Sequence, residues 1–216
     1  MGWVRSGAPL LIAALLMGCA TTDASRIIVP AEASSPAEQM AAPPATSEAD
    51  ATAAHLLDLF GQPCLMRFPD DGAMDRFAQA QNLTPMSEDE VRRLLGADPG
   101  IGWLGSSSLG AYELTLEKPP FHACAIRVRF NELPNFRLSL ILGLSMWAAQ
   151  SGATLKELPP ESTMVDGQPT DASPYLLVDP DHKARQDFLV IVSHFPSGAS
   201  EVRLVRQIMP QPIDLR

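Results

Sequence analysis

The sequence predicts an α+β fold in a single domain over residues 51–216: N-terminal helices, then an antiparallel sheet with one buried helix. Three observations carry this expectation. Between residues 56 and 95 the apolar residues recur at helical spacing. From 111 onward the period shortens to two, with alternating runs at 111–117 and 122–130 separated by Lys118-Pro119-Pro120. Of the 216 residues, 46% are hydrophobic and 19% charged, which is enough apolar material for a core and argues against a disordered chain.

The elements follow in order. Ser47 to Asp50 form a helix start signal, after which Leu56, Leu57, Phe60 and Cys64 share one face. Asp70 and Asp71 sit where a second helix needs a cap, with Met74, Phe77 and Ala78 inward and Asn82 near its end. Ser87-Glu88-Asp89-Glu90 has the form of a capping box, its acids at the positive end of the helix dipole. Val91, Leu94 and Leu95 give that helix its apolar face, and Gly96 stops it. Within 122–130, Cys124, Ile126, Val128 and Phe130 share one face and Arg127 and Arg129 the other, the pattern of a sheet with one dry and one wet face.

Residues 136–150 are ambiguous by period. Leu138, Leu140, Leu142, Leu144 and Met146 alternate as a strand would, yet the run is long and almost wholly apolar. Asn135 before it and Gly152 after it suit helix caps, so a buried helix is expected. Strands are expected at 154–158, 175–178, 188–195 and 202–209. The last two are joined as a hairpin through Pro196-Ser197-Gly198-Ala199-Ser200.

Upstream of the domain, residues 20–50 hold four prolines and nine alanines and show no period of 2 or 3.6. They read as a disordered tether with a coil span of roughly 30 Å. Ile27-Ile28-Val29 is its apolar anchor if the segment binds something instead.

Residues 1–18 read as an export signal: a cation at Arg5, an apolar stretch from Ala8 to Met17, then small residues. The stretch is too short to cross a ~30 Å hydrocarbon core. Leu16-Met17-Gly18-Cys19 resembles the lipobox of bacterial lipoproteins. The resemblance implies a diacylglyceryl group on the Cys19 sulfur, cleavage before Cys19, and acylation of the new amine. Each buried methylene contributes about 0.8 kcal/mol, so three acyl chains would anchor the chain in a lipid bilayer essentially permanently. Ala20 rather than Asp follows the cysteine, which by the sorting rule of enteric lipoproteins implies the periplasmic face of the outer membrane. Loss of Arg5 with the signal takes the net charge from −9 to −10.

Export governs how Cys64 and Cys124 are read. In an oxidising compartment they are expected to form a disulfide, which would staple the helices to the sheet. The alternatives are reactive thiols or a metal site using Cys64, His122 and Cys124. No fourth ligand stands at useful spacing, and no cation is placed to lower a thiol pKa. No metal or cofactor is expected.

Other motifs carry little chemistry. Gly100-Ile101-Gly102-Trp103-Leu104-Gly105 matches G-x-G-x-x-G, but it follows a helix stop and Pro99 and leads into Ser106-Ser107-Ser108. A dinucleotide loop follows a strand and opens a helix, so a flexible loop with Trp103 inward is expected. G-x-S-x-G, S-x-x-K and H-E-x-x-H are absent. Ser193 and His194 are strand neighbours and point to opposite faces, which is wrong for a nucleophile and its base. Asp179-Pro180-Asp181-His182 reads as a polar turn. Arg127 and Arg129 are about 7 Å apart by strand rise and suit an anionic ligand such as a phosphate or carboxylate, unless Glu113 or Glu117 pairs with them.

Phe60-x-x-x-Cys64, Trp103, and Pro119-Pro120 shortly before Cys124-Ala125-Ile126 resemble a group of small proteobacterial lipoproteins and periplasmic proteins of unknown function. The resemblance covers roughly residues 56–130 and implies no catalytic residues. With three lysines and thirteen arginines against twenty-five acids, no broad basic face exists for nucleic acid. The expectation is a non-enzymatic, membrane-anchored lipoprotein that binds an envelope protein or component. A module for a small anionic or lipidic ligand and an envelope-polymer hydrolase are the alternatives.

Overall fold

The computed structural model describes residues 47–179 and 185–209. The signal segment, Cys19, the tether up to residue 46 and the Pro180-Asp181-His182 turn lie outside the described residues.

Helix α1 (Glu48–Phe60) starts where the Ser47 hydroxyl accepts the Asp50 N–H at 3.1 Å, with Glu48 and Asp50 at the positive end of the dipole. Glu48, Ala49 and Asp50, expected as the end of the tether, therefore belong to the helix. Pro63 has no N–H to continue the α pattern, and the chain goes on as a π-helical turn, Gly61–Leu65, with Cys64 buried. In α2 (Asp71–Ala80), the Asp70 carboxylate accepts the Ala73 N–H at 2.9 Å, and Met74, Phe77 and Ala78 are buried. The two-residue strand β1 (Thr84–Pro85) and α3 (Glu88–Leu95) follow. Both arms of the capping box are made: Glu90 N–H to Ser87 Oγ at 3.3 Å and Ser87 N–H to Glu90 Oε2 at 2.7 Å. Ser87→Ala removes one arm and should lower the melting temperature by roughly 2–4 °C, measured by circular dichroism; an unchanged midpoint would mean that water caps α3 equally well.

The remaining strands are β2 (Gly100–Ser107), β3 (Gly110–Glu117), β4 (Ala123–Phe130), β5 (Thr154–Glu157), β6 (Glu161–Val165), β7 (Gln168–Val178), β8 (Arg185–His194) and β9 (Ser200–Met209). All pairings are antiparallel, in the order β1-β2-β3-β4-β9-β8-β7-β5, with β6 also on β7. Among the described residues the fold is thus mixed α+β, with four α-helices and a nine-stranded antiparallel sheet. Helix α4 (Arg137–Gln150) enters between β4 and β5.

Register assembles the core from distant segments. One cross-strand row on the helix-covered face reads Trp103, Leu114, Ile126, Leu204, Val190, and the next reads Leu116, Cys124, Arg206, Phe188, Tyr175. Phe188 sits edge-on to Phe60 of α1 (6.4 Å) and Trp147 of α4 (5.6 Å). Cys64 and Cys124 form a disulfide with their Cα atoms 5.4 Å apart. Beside it the buried Arg206 donates to the carbonyls of Cys64 (3.0 Å), Leu65 (3.2 Å) and Phe68 (3.3 Å), and to Gln186 Oε1 (2.8 Å). Its guanidinium also lies over the rings of Trp147 (5.4 Å) and Phe68 (5.6 Å). Burial pulls its pKa down to about 10, so it remains a cation at neutral pH.

Four expectations change. Residues 100–105 are not a loop but most of β2, and Trp103 does point into the core. The 136–150 helix exists as α4, yet only Leu140, Leu144 and Ala148 are buried; Leu138, Leu142 and Met146 are 72%, 57% and 65% exposed. At 100° per residue, apolar side chains at every second position fall 200° apart, on alternate sides of the helix, and only one side meets the sheet. Phe136 rather than Asn135 is the N-cap, with no side-chain bond. At the other end Gly152 (φ +75°) completes a Schellman motif, Ala153 N–H reaching Ala148 O at 2.9 Å. Finally, the Arg127 face is not uniformly wet, since Ala123, Ala125 and Val205 are buried on it among longer side chains.

Candidate functional site

The sheet face opposite α1 and α4 carries the two arginines singled out from the sequence. Leu104, Glu113, Arg127, Arg203 and Ile191 line up there across five strands. Arg127 meets Glu113 at 3.3 Å and Glu201 at 3.2 Å, and Arg129 meets Glu201 at 2.9 Å and covers the Phe195 ring at 5.6 Å. Burial, then the charge of Arg127, pushes the Arg203 pKa down, against Glu117 and Glu201. Burial, then Asp98, raises the Glu117 carboxyl. The adjoining cleft of about 330 Å³ is lined by Tyr112, Glu113, Arg127, Arg129 and Glu201 among others. An anion entering it meets the carboxylates of Glu113 and Glu201 beside the guanidinium groups, although Arg129, bonded through Nε alone, keeps its Nη donors. Of the two acids the sequence offered, Glu113 pairs with Arg127, while Glu117 lies nearer Arg203; nothing in the sequence pointed to Glu201, which reaches Arg127 and Arg129 from β9, some seventy residues along the chain.

The glycine motif has a packing role. A Cβ on Gly100 would overlap Leu95 of α3 and lie 2.7 Å from the Leu116 carbonyl oxygen, and one on Gly102 would lie 2.6 Å from Met86 Sδ. Gly105 faces Tyr112 at equally close range. The glycines let α3 and Tyr112 close down on the strand. His122 is bonded to Asp71 at 2.9 Å and edge-on to Phe68 at 4.6 Å. Among the described residues no three His, Cys, Asp or Glu side chains converge on a metal position.

A polar cluster lies on the helix-covered face, at the N-terminal end of α4. His194 Nδ1 is 3.2 Å from Ser200 Oγ, and its Nε2 is 3.4 Å from Asp171 Oδ2. Ser162 Oγ donates to Asp171 Oδ1 at 2.6 Å; this bond foremost, opposed by burial and aided by His194 and Arg137, holds the Asp171 carboxyl below its ordinary range. Hydroxyl, imidazole and carboxylate stand in a chain, but the Ser200 residue is only 6% exposed. The neighbouring cleft is lined by Asp171, Ser173 and His194 and not by Ser200. The chain therefore ties β7, β8 and β9 together, with no path shown for an acyl group to reach the hydroxyl. Ser193 faces the other way and bonds Thr170 at 3.0 Å. The His194–Ser200 pair was implicit in the 194–200 hairpin, where the two residues face each other in register.

No protein-family model matches the chain, and none of the curated proteins is significantly similar to it. Among solved structures it is similar to the solution structure of cyanobacterial PsbP (CyanoP) from Synechocystis sp. PCC 6803, at 7% identity and a TM-score of 0.31, over 59% of this chain and 79% of that one. A likeness of that extent bears neither on fold nor on function.

Proposed function

We propose that the chain is a lipoprotein held in the bacterial envelope through acylated Cys19, facing the periplasm from the outer membrane, and that its domain binds an envelope protein or component without catalysing a reaction. The anchoring part rests on Leu16-Met17-Gly18-Cys19. The observation that carries the binding part is the outer row of α4. Leu138, Leu142 and Met146 recur at i, i+4 and i+8, so they form one continuous apolar stripe along nearly the whole helix. Leaving three large apolar side chains on one stripe in water is unfavourable, and a partner surface relieves that cost. Ser139 of α4 bonds Asp50 of α1, so the start of α1 lies beside the start of this stripe. A small anionic ligand at Arg127 and Arg129 fits less well, because the carboxylates of Glu113 and Glu201 stand beside the guanidinium groups and repel it.

Two experiments test the two parts separately. Cys19→Ala should abolish lipid labelling and release the protein from membranes; a variant that stays labelled and membrane-bound rules out the anchor. A photo-crosslinking residue in place of Leu142 should yield one discrete adduct in intact cells, while the same probe at exposed Glu132 should not. Equal yields at both positions, or none at either, count against the stripe as a binding surface.

A further inference from the structure

The cleft at the N-terminal end of α4 has features that neither the stripe nor the charged face uses. Its volume is about 290 Å³, and its walls include Leu133, Arg137, Asp171, Ser173, Val190 and Val192. At roughly 30 Å³ for each water of liquid volume, that is space for about ten waters or one small organic molecule.

Ser173 is the first feature. It lies two residues from Asp171 on the helix-covered face of β7, opposite Val190. It is 5% exposed and lines the cleft, and its hydroxyl has no hydrogen-bond partner among the described residues. The hydroxyl oxygen reaches the cleft rather than being sealed from it, so this largely buried side chain offers a donor and an acceptor to an occupant.

The second feature is the start of α4. Phe136 offers no side-chain cap, and the N–H groups of Arg137, Leu138 and Ser139 meet no acceptor among the described residues; the first bond into the helix is Leu140 N–H to Phe136 O at 3.0 Å. Of these residues Arg137 lines the cleft, and its guanidinium at the positive end of a fourteen-residue dipole favours a carboxylate. Arg137 shares one Nη with Glu157 at 3.2 Å and keeps its other donors.

The third feature has the opposite sign. The Asp171 carboxylate stands in the same wall, kept ionised by Ser162 and His194. It would repel a simple anion and attract an ammonium group. His194 has both ring nitrogens engaged by Ser200 and Asp171, so it shapes the cleft and does not donate into it.

We propose that this cleft binds a free α-amino acid with an apolar side chain. The carboxylate sits at the α4 N-terminus and Arg137, with Ser173 donating to it. The ammonium sits at Asp171, and the side chain lies against Leu133, Val190 and Val192. The assignment rests on the folded domain alone and holds whether or not Cys19 is acylated.

The test uses the full chain carrying Cys19→Ala, so that no detergent is needed, with free amino acids as probes in calorimetry and thermal denaturation. An apolar amino acid such as L-leucine should bind saturably and raise the melting temperature. The two half-probes, 4-methylpentanoate and 3-methylbutylamine, each lack one charge and should bind at least about tenfold more weakly. Asp171→Asn and Ser173→Ala should each weaken L-leucine binding about tenfold with an unchanged far-ultraviolet spectrum. The Val190 and Val192 methyl resonances should move on titration. The proposal falls if no apolar amino acid binds, if either half-probe binds as well as L-leucine, or if binding survives both substitutions undiminished.

Discussion

Arg206→Met should lower the free energy of unfolding by about 3–5 kcal/mol, the cost of stranding several buried acceptors at once. The guanidinium is the group that satisfies the Cys64, Leu65 and Phe68 carbonyls and Gln186 Oε1 together. Two of those acceptors lie at the end of the π-helical turn, where helical carbonyls have run out of helical partners, and the third, Phe68, lies in the turn that follows. Methionine fills much of the same volume but donates nothing. Arg206→Lys should recover part of the loss, because an ammonium reaches one or two carbonyls but cannot fork to Gln186 as well. Urea unfolding of the three proteins, monitored by fluorescence, measures both effects. Equal midpoints for all three would show that water replaces the guanidinium, and the account of Arg206 as the turn's cap would be wrong.

Removing the Cys64–Cys124 bridge is the second large effect. The bond closes a loop of 60 residues, for which the chain-entropy model gives about 4 kcal/mol, or a melting temperature lower by roughly 8–16 °C in a domain of this size. Paired Cys64→Ala and Cys124→Ala substitutions, or reduction by dithiothreitol, should show it in calorimetry. A midpoint that is indifferent to reductant would mean the π-helical turn stays docked without the bond. The two perturbations act on one locus, since Arg206 lies opposite Cys124 in the β4–β9 register and bonds to the Cys64 carbonyl. A double-mutant cycle should therefore depart from additivity by about 1 kcal/mol or more.

Both predictions concern the join between the N-terminal helices and the sheet, and sequence reasoning anticipated it unevenly. The two cysteines are visible as residues, and with an export signal their pairing follows from the count. Arg206 gives no such sign. It occupies an inward position of an alternating strand, between Leu204 and Ile208, where an arginine looks like an exception to the pattern. Its role depends on carbonyls about 140 residues earlier in the chain. Ser200 and Glu201 give no sign for the same reason, and His194, legible only beside Ser193, finds its partners Ser200 and Asp171 on other strands.

Local misreadings also have identifiable causes. Three glycines in six residues resemble a turn sequence, which hides the strand β2 from a reading by period. In the fold those glycines are where α3, Met86 and Tyr112 press on the strand. The hairpin of β6 and β7 carried a usable signal in Asp166-Gly167, both at positive φ (50° and 78°), as a two-residue hairpin turn requires. It was passed over because every residue of β6 is exposed, so no alternation of apolar and polar side chains marks it.

By itself the sequence determined whatever depends on neighbours a few residues apart. That covers the Ser47, Asp70 and capping-box starts, the Gly96 and Gly152 stops, and which face of 122–130 turns inward. Capping bonds and the alternation of a strand are set within one or two turns of chain, so they are legible without knowing the rest of the fold. Only the tertiary structure decided that β9 returns to lie beside β4 and bring Glu201 to Arg127 and Arg206 to Cys64. It likewise left one side of a mostly apolar helix exposed and set Ser173 and Asp171 in the cleft at the N-terminus of α4. Those outcomes depend on which surfaces meet after the chain has closed over distances of up to about 140 residues, and neither periodicity nor local spacing encodes that.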